Sequence, residues 1–125
     1  MAFHFGYWTV IEDDLIELTS GTPNVDRDVP FDLGDDITLR IGGVLTFMTD
    51  AVSPNSLTYR IRINNHNVIA NRIVDSAVLH SEQQVVRAGN PLVLQHGINH
   101  LLITVTGGTG TLRISNIVFH YVRLS

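Results

Sequence analysis

The chain has 125 residues, of which 44% are hydrophobic and 16% charged, and a formal net charge of −4 at pH 7. These values describe one domain able to bury a core and exclude a disordered segment. Cysteine and lysine are both absent. That removes disulfides, thiolate metal sites, cysteine nucleophiles, a lysine Schiff base and a P-loop lysine. The acidic balance argues against nucleic acid as a partner, since phosphate binding needs a basic face.

The apolar runs are far shorter than a membrane-spanning helix, so membrane insertion is not expected. Met1–Trp8 lacks a basic n-region and a long apolar h-region, which argues against a secretory signal there. The compartment stays open: cytoplasm, a mature secreted form, or a piece of a larger protein.

Alternating apolar residues predict strands along most of the chain. Phe3, Phe5 and Tyr7 alternate with His4, Gly6 and Trp8, continuing through Val10, and Leu15–Thr19 is a short second strand. Residues 20–36 read as an irregular loop, punctuated by Gly21, Pro23, Pro30 and Gly34 and rich in turn-favouring aspartate. Ile37, Leu39 and Ile41 share one face, which Leu45 and Phe47 continue past Gly42-Gly43, a pair that suggests a bend or bulge. Leu57, Tyr59, Ile61 and Ile63 alternate with Thr58, Arg60, Arg62 and Asn64 in the cleanest half-buried pattern of the chain.

Asn64-Asn65-His66-Asn67 is a polar turn. Val68–Val74 fits a strand and also a helical spacing; its β-branched content favours the strand. Gln84–Arg87 and Leu92–Gln95 are short strands around a turn at Ala88–Pro91. His100–Thr106, the glycines of 107–110 and Thr111–Leu124 read as a hairpin. In its second arm Leu112 and Ile114 are out of phase with Ile117, Phe119 and Tyr121, which leaves two readings: a bulge near Ser115-Asn116, or a strand covered on both faces. The sum is an all-β chain, a β-sandwich forming one domain over residues 1–125.

Two stretches carry a family cadence. Leu94-Gln95-His96-Gly97-Ile98-Asn99-His100-Leu101-Leu102-Ile103-Thr104-Val105 is followed by Leu112-Arg113-Ile114-Ser115-Asn116-Ile117-Val118-Phe119-His120-Tyr121, and Tyr59–His66 precedes both. This C-terminal half resembles galactose-binding-like jelly rolls, the group that includes many carbohydrate-binding modules. The resemblance implies jelly-roll topology and sugar or glycan binding, by loops at one end or by a sheet face. The family's ligand residues are not carried over, because those loops vary.

The residues themselves offer several candidate sites, each with a plainer reading. Asn64, Asn65, His66 and Asn67 place hydrogen-bonding side chains on one turn, which suits sugar hydroxyls; they also suit a turn that needs φ > 0. Arg60 and Arg62 project from the polar face of their strand, where they can grip a carboxylate bidentately or simply be solvated. Trp8 can stack on a sugar ring or pack in the core. Asp26, Asp28 and Asp32 offer the hard oxygens that calcium takes, although their spacing is not that of an EF-hand, and a structural calcium is the one cofactor the sequence suggests.

His96 and His100 show an H-x-x-x-H spacing, but an extended chain holds such residues too far apart for one metal. Glu12, Asp13, Asp14 and Glu17 are adjacent in sequence, unlike the facing carboxylates of a glycosidase, and no G-x-S-x-G elbow occurs. A non-catalytic glycan-binding module is therefore the expected function. The alternative is a structural protein that assembles as a homo-oligomer without a small ligand, which the high apolar and low charge content would serve.

Overall fold

The computed structural model describes residues 3–74 and 76–124, with side chains from residue 7 to residue 123. The strand alternation expected from Phe3 and Phe5 thus falls partly on side chains outside this description, as does Met1-Ala2 of the signal-peptide reading. Among the described residues there is no helix, and hence none long and apolar enough to cross a membrane. The strands are β1 (Phe3–Glu12), β2 (Ile16–Thr19), β3 (Asp26–Asp32), β4 (Gly43–Ile63), β5 (His66–Val74), β6 (His80–Val86) and β7 (Ile98–Leu124).

Two of these strands are very long, and they organise the fold. β4 and β7 run antiparallel beside each other, from Gly43↔Tyr121 to Ile63↔Leu101, and both bend midway. At the bend Ser53 and Ser56 of β4 and Gly108 and Gly110 of β7 have positive φ, and the register slips. A Cβ on Gly108 would overlap the Ser56 carbonyl, so only glycine lets the two backbones approach this closely. The bend folds one continuous sheet into two facing layers.

One layer has the order β3, β7 (98–105), β4 (57–63), β5. The other has β1 and β2 in tandem, then β7 (111–124), β4 (43–52) and β6. This is a jelly-roll β-sandwich, as the C-terminal cadence implied. The inward side chains make a single apolar cluster drawn from every strand. Leu57, Tyr59, Ile61 and Ile63 are all fully buried, and each contributes about 2 kcal/mol by leaving water. Phe47 meets Tyr59 edge-on and Phe31 meets Phe119, both across the layers.

Four expectations need correction. Residues 26–32 form a strand, because Val29 and Phe31 alternate inward, and Pro30 is tolerated because β3 is an edge strand bonded on one side only. Residues 37–41 are not a strand: Ile37 makes one bridge to Arg123, a turn follows, and β4 starts only at Gly43. Leu92–Gln95 is a turn held by side-chain bonds. The 100–124 region is not a hairpin, since its two halves lie in different layers and both pair with β4.

Other expectations hold. Val68–Val74 is strand, within β5. The phase change near Ser115-Asn116 is a bulge, with Asn116 at φ 52° and a register slip opposite it in β4, while Ile117 and Phe119 stay buried.

Candidate functional site

The outer face of the β3–β7–β4–β5 layer collects most of the residues singled out from the sequence. Pairing sets them in rows across the strands: Asp26–Thr104–Arg60 and Asp28–Leu102–Arg62–Asn67. All project outward, because their chain neighbours Val29, Leu101, Ile103, Tyr59, Ile61 and Ile63 point into the core. The face thus has an acidic rail on β3, a basic rail on β4, and Leu102 and Thr104 between them. Two interstrand spacings separate the backbones of the rails, about 10 Å, and among the described residues no ion pair joins Asp26 or Asp28 to Arg60 or Arg62.

One end of this face is closed by the Asn64–Asn67 turn. Asp28, Asn64, Asn65, His100 and Leu102 surround a depression of about 340 Å³. His100 Nδ1 lies 3.1 Å from Asp28 Oδ1, and Arg62 Nε donates to Asn67 Oδ1 at 2.9 Å.

The four turn residues have different tasks. Asn64 and Asn65 sit at φ 49° and 67°, a conformation asparagine tolerates well. The Asn64 side chain is committed to the scaffold. Its Nδ2 donates to Val93 O at 2.8 Å and Asn99 Oδ1 at 2.7 Å, and its Oδ1 accepts from His100 N at 2.9 Å. Asn65 and Asn67 are exposed beside the depression and the basic rail. His66 turns away toward a second depression of about 410 Å³, walled by Val68, Val85 and Val93 with Arg87 and Asn90.

Asn99, which the sequence marked only as part of a cadence, is fully buried. Its Oδ1 accepts from Asn64 and from Gln95 N at 2.9 Å, while its Nδ2 donates to Gln95 O and Gly97 O at 2.9 and 3.1 Å. Every polar atom of this side chain is satisfied, which is what makes its burial affordable. Through Asn64 it fixes the turn that ends the polar face. The cadence gave no hint of this; a polar residue at an inward strand position is the signal that points to it.

The remaining sequence candidates lie elsewhere. Trp8 is 64% exposed on the outer face of the opposite layer, in a row with His120, Val44 and Val85. It is neither core nor part of the polar face. Asp26, Asp28 and Asp32 alternate along an extended strand, so Asp26 and Asp32 stand about 20 Å apart and cannot share one ion. Asp28 is occupied by His100, and Asp32 caps the Gly34 amide at 2.8 Å. His96 bonds to Ile37 O at 3.2 Å, away from His100. Among the described residues, the group that gathers three metal-capable side chains is Glu12, Asp13 and Asp14, at the exposed β1–β2 connection.

Glu82, isolated in the sequence, is held at the seam between β5 and β6. Arg72 Nη1 donates to it at 3.1 Å and His80 Nε2 lies 2.9 Å away, while Arg72 Nη2 donates to Gln84 Oε1 at 2.8 Å. These bonds tie the edges of the two layers together. His80 is raised above its ordinary pKa, first by its bond to the Val78 carbonyl and then by Glu82. Burial pushes the Tyr59 hydroxyl beneath this seam up to about 12, with the Arg72 cation pulling the other way.

No protein-family model matches the chain, and no curated protein matches its sequence. Solved structures do match it in fold. A family 4 carbohydrate-binding module aligns at TM-score 0.59 and 11% identity, over 95% of this chain and 77% of that one. The xylan-binding module of family 15 aligns at 0.57 and 11%, over 90% and 96%. The K3 cleaved adhesin domain of Lys-gingipain from Porphyromonas gingivalis aligns at 0.54 and 12%, over 84% and 72%. At such identities the likeness establishes a shared fold, the β-sandwich of carbohydrate-binding modules and adhesin domains.

Proposed function

We propose that this chain is a non-catalytic glycan-binding module whose ligand lies on the outer face of the β3–β7–β4–β5 layer, along β7. The observation that carries this reading is the pair of polar rails around a partly apolar floor. Arginine and asparagine amides donate to sugar hydroxyls, aspartates accept from them, and Leu102 meets the sugar's C–H surface. Arg60, Arg62, Asn65, Asn67, His100 and Asp28 are the contact residues, with Asn64 as a positioning residue and His66 outside the site. The fold likeness to carbohydrate-binding modules supports the same reading. A non-catalytic role fits the carboxylates: Glu82 is tied into the seam, and Asp26 and Asp28 share one strand rather than facing each other across a cleft.

The test is a broad glycan array read with the intact chain and with Asn67→Ala/His100→Ala. Binding to a glycan class that falls sharply in the double variant is the expected result, and silence across the array would overturn the reading. Chelation with EDTA is expected to leave binding and Tm unchanged, because the β3 aspartates do not converge; a lower Tm would show that a bound calcium contributes.

A second reading is favoured by one observation, the apolar outer face of the other layer. Trp8, Val10 and Val85 are exposed there beside Val44 and Val118, interrupted by His120, Thr46 and Gln83. Burial of this face between copies would make the chain a homo-oligomer. Light scattering distinguishes the cases: a dimer that Trp8→Glu converts to monomer supports assembly, and a monomer throughout removes it.

A further inference from the structure

The chain uses arginine for all its fixed positive charge, and its arginines fall into two kinds. Arg72, Arg113 and Arg123 are each set against a carboxylate, those of Glu82, Asp50 and Asp36. Arg60 and Arg62 are not, nor are the exposed Arg27, Arg40 and Arg87, but Arg60 and Arg62 are the two that stand side by side on one sheet face. Among the described residues Arg60 forms no ion pair or hydrogen bond, and its Nε is enclosed without a partner. Arg62 meets only the neutral amide of Asn67. The two stand two residues apart on one side of β4, about 7 Å between Cα atoms.

Two adjacent unneutralised guanidinium groups on a protein of net charge −4 are a local reversal of the field. Each side chain can still reach an oxyanion with two N–H donors, and such charge-assisted bidentate contacts are the strong ones. The acidic rail does not cancel them. It lies on the far side of β7, and among the described residues neither Asp26 nor Asp28 is ion-paired with either guanidinium. Asp28 is also engaged by His100.

We infer that the glycan taken by this face is an anionic one, its carboxylate or sulfate groups seated on Arg60 and Arg62. The inference rests on the glycan-binding reading above and names the ligand class. Orientation follows from the two rails. The anionic groups face β4, and the hydroxyl edge of the same chain faces Asp26 and Asp28.

The experiment is calorimetric titration of the full chain with two matched pairs: polygalacturonate and its methyl ester, and dextran sulfate and dextran. Within each pair the backbone is the same and only the charge differs. Binding to at least one charged polymer, about tenfold or more tighter than to its neutral partner, is expected. The charged arm that binds tells carboxylate from sulfate.

Arg60→Gln and Arg62→Gln should each weaken that binding roughly tenfold and reduce its salt dependence. Arg87→Gln, away from this face, should leave it unchanged. Equal affinity for charged and neutral partners overturns the inference while leaving glycan binding intact. Charged-polymer binding that ignores Arg60→Gln and Arg62→Gln, or falls equally with Arg87→Gln, also overturns it. Failure of all four polymers to bind, with an array hit for some other neutral glycan, removes the anionic preference alone; failure here and on the array removes both readings.

Discussion

The two outer faces of the sandwich are built on the same pair of long strands, yet they differ in kind. Around β4 57–63 the outward positions are Thr58, Arg60 and Arg62; around β4 43–52 they include Val44, Thr46 and Met48. The partner strands amplify the contrast. β3 and β5 bring Asp26, Asp28 and Asn67 to the first face, while β1 and β6 bring Trp8, Val10 and Val85 to the second. A hydrogen-bonding surface and an apolar one thus lie back to back. Because a single core joins them, each can be altered by surface substitutions without disturbing the other.

That separation can be broken most severely at the groups that hold it in place. Asn99→Leu leaves the Gln95 backbone N–H and carbonyl without partners and takes one of two bonds from Asn64 Nδ2 and from the Gly97 carbonyl, and is expected to cost about 4 kcal/mol in urea unfolding. It should also abolish binding on the polar face; a loss under about 1 kcal/mol would show that the network does not fix the turn. Gly108→Val tests the bend on which both layers depend. It forces a β-branched residue into positive φ against the Ser56 carbonyl, for an expected cost of about 3 kcal/mol by the same measurement.

Smaller substitutions sharpen the contrast between the faces. Asn65→Gly, which keeps the positive φ, and Asn67→Ala should weaken glycan binding about tenfold together, with stability within about 0.5 kcal/mol of the parent. Trp8→Ser should leave both glycan affinity and stability unchanged to a similar margin, and lower retention on a phenyl-agarose column. Loss of glycan binding in Trp8→Ser would mean that the apolar face is the true platform.

The smallest effect belongs to the seam between them. The folded state raises the His80 pKa above 6.5, so its contribution is fully present below that value and is lost as pH rises through the folded pKa. Tm should therefore decline slightly from about pH 6 to about pH 8, and this component should be absent in His80→Gln. Half-exposure of the side chain keeps the effect small.

The polar face was partly legible in advance. Arg60 and Arg62 fall on the outward phase of a clean alternation, and Asn64–Asn67 follow directly, so five of its elements lie within one short stretch of chain. Asp28 and His100 were visible only as members of other patterns, an aspartate loop and a histidine spacing. Their actual partnership spans 72 positions of sequence and depends on the β3–β7 register. Trp8 shows the opposite error of proximity. Its type suited sugar stacking, but β1 delivers it to the other layer.

By itself the sequence determined the period of its strands and hence which side chains turn inward. It also determined the all-β class, because alternation is a local property of backbone geometry that burial enforces residue by residue. Only the tertiary structure decided that β4 and β7 each run on through their glycine- and serine-marked bend. From that followed which strands share a layer, and so which polar residues meet. Such pairings are set by contacts between distant segments competing for one core, and no local pattern encodes them.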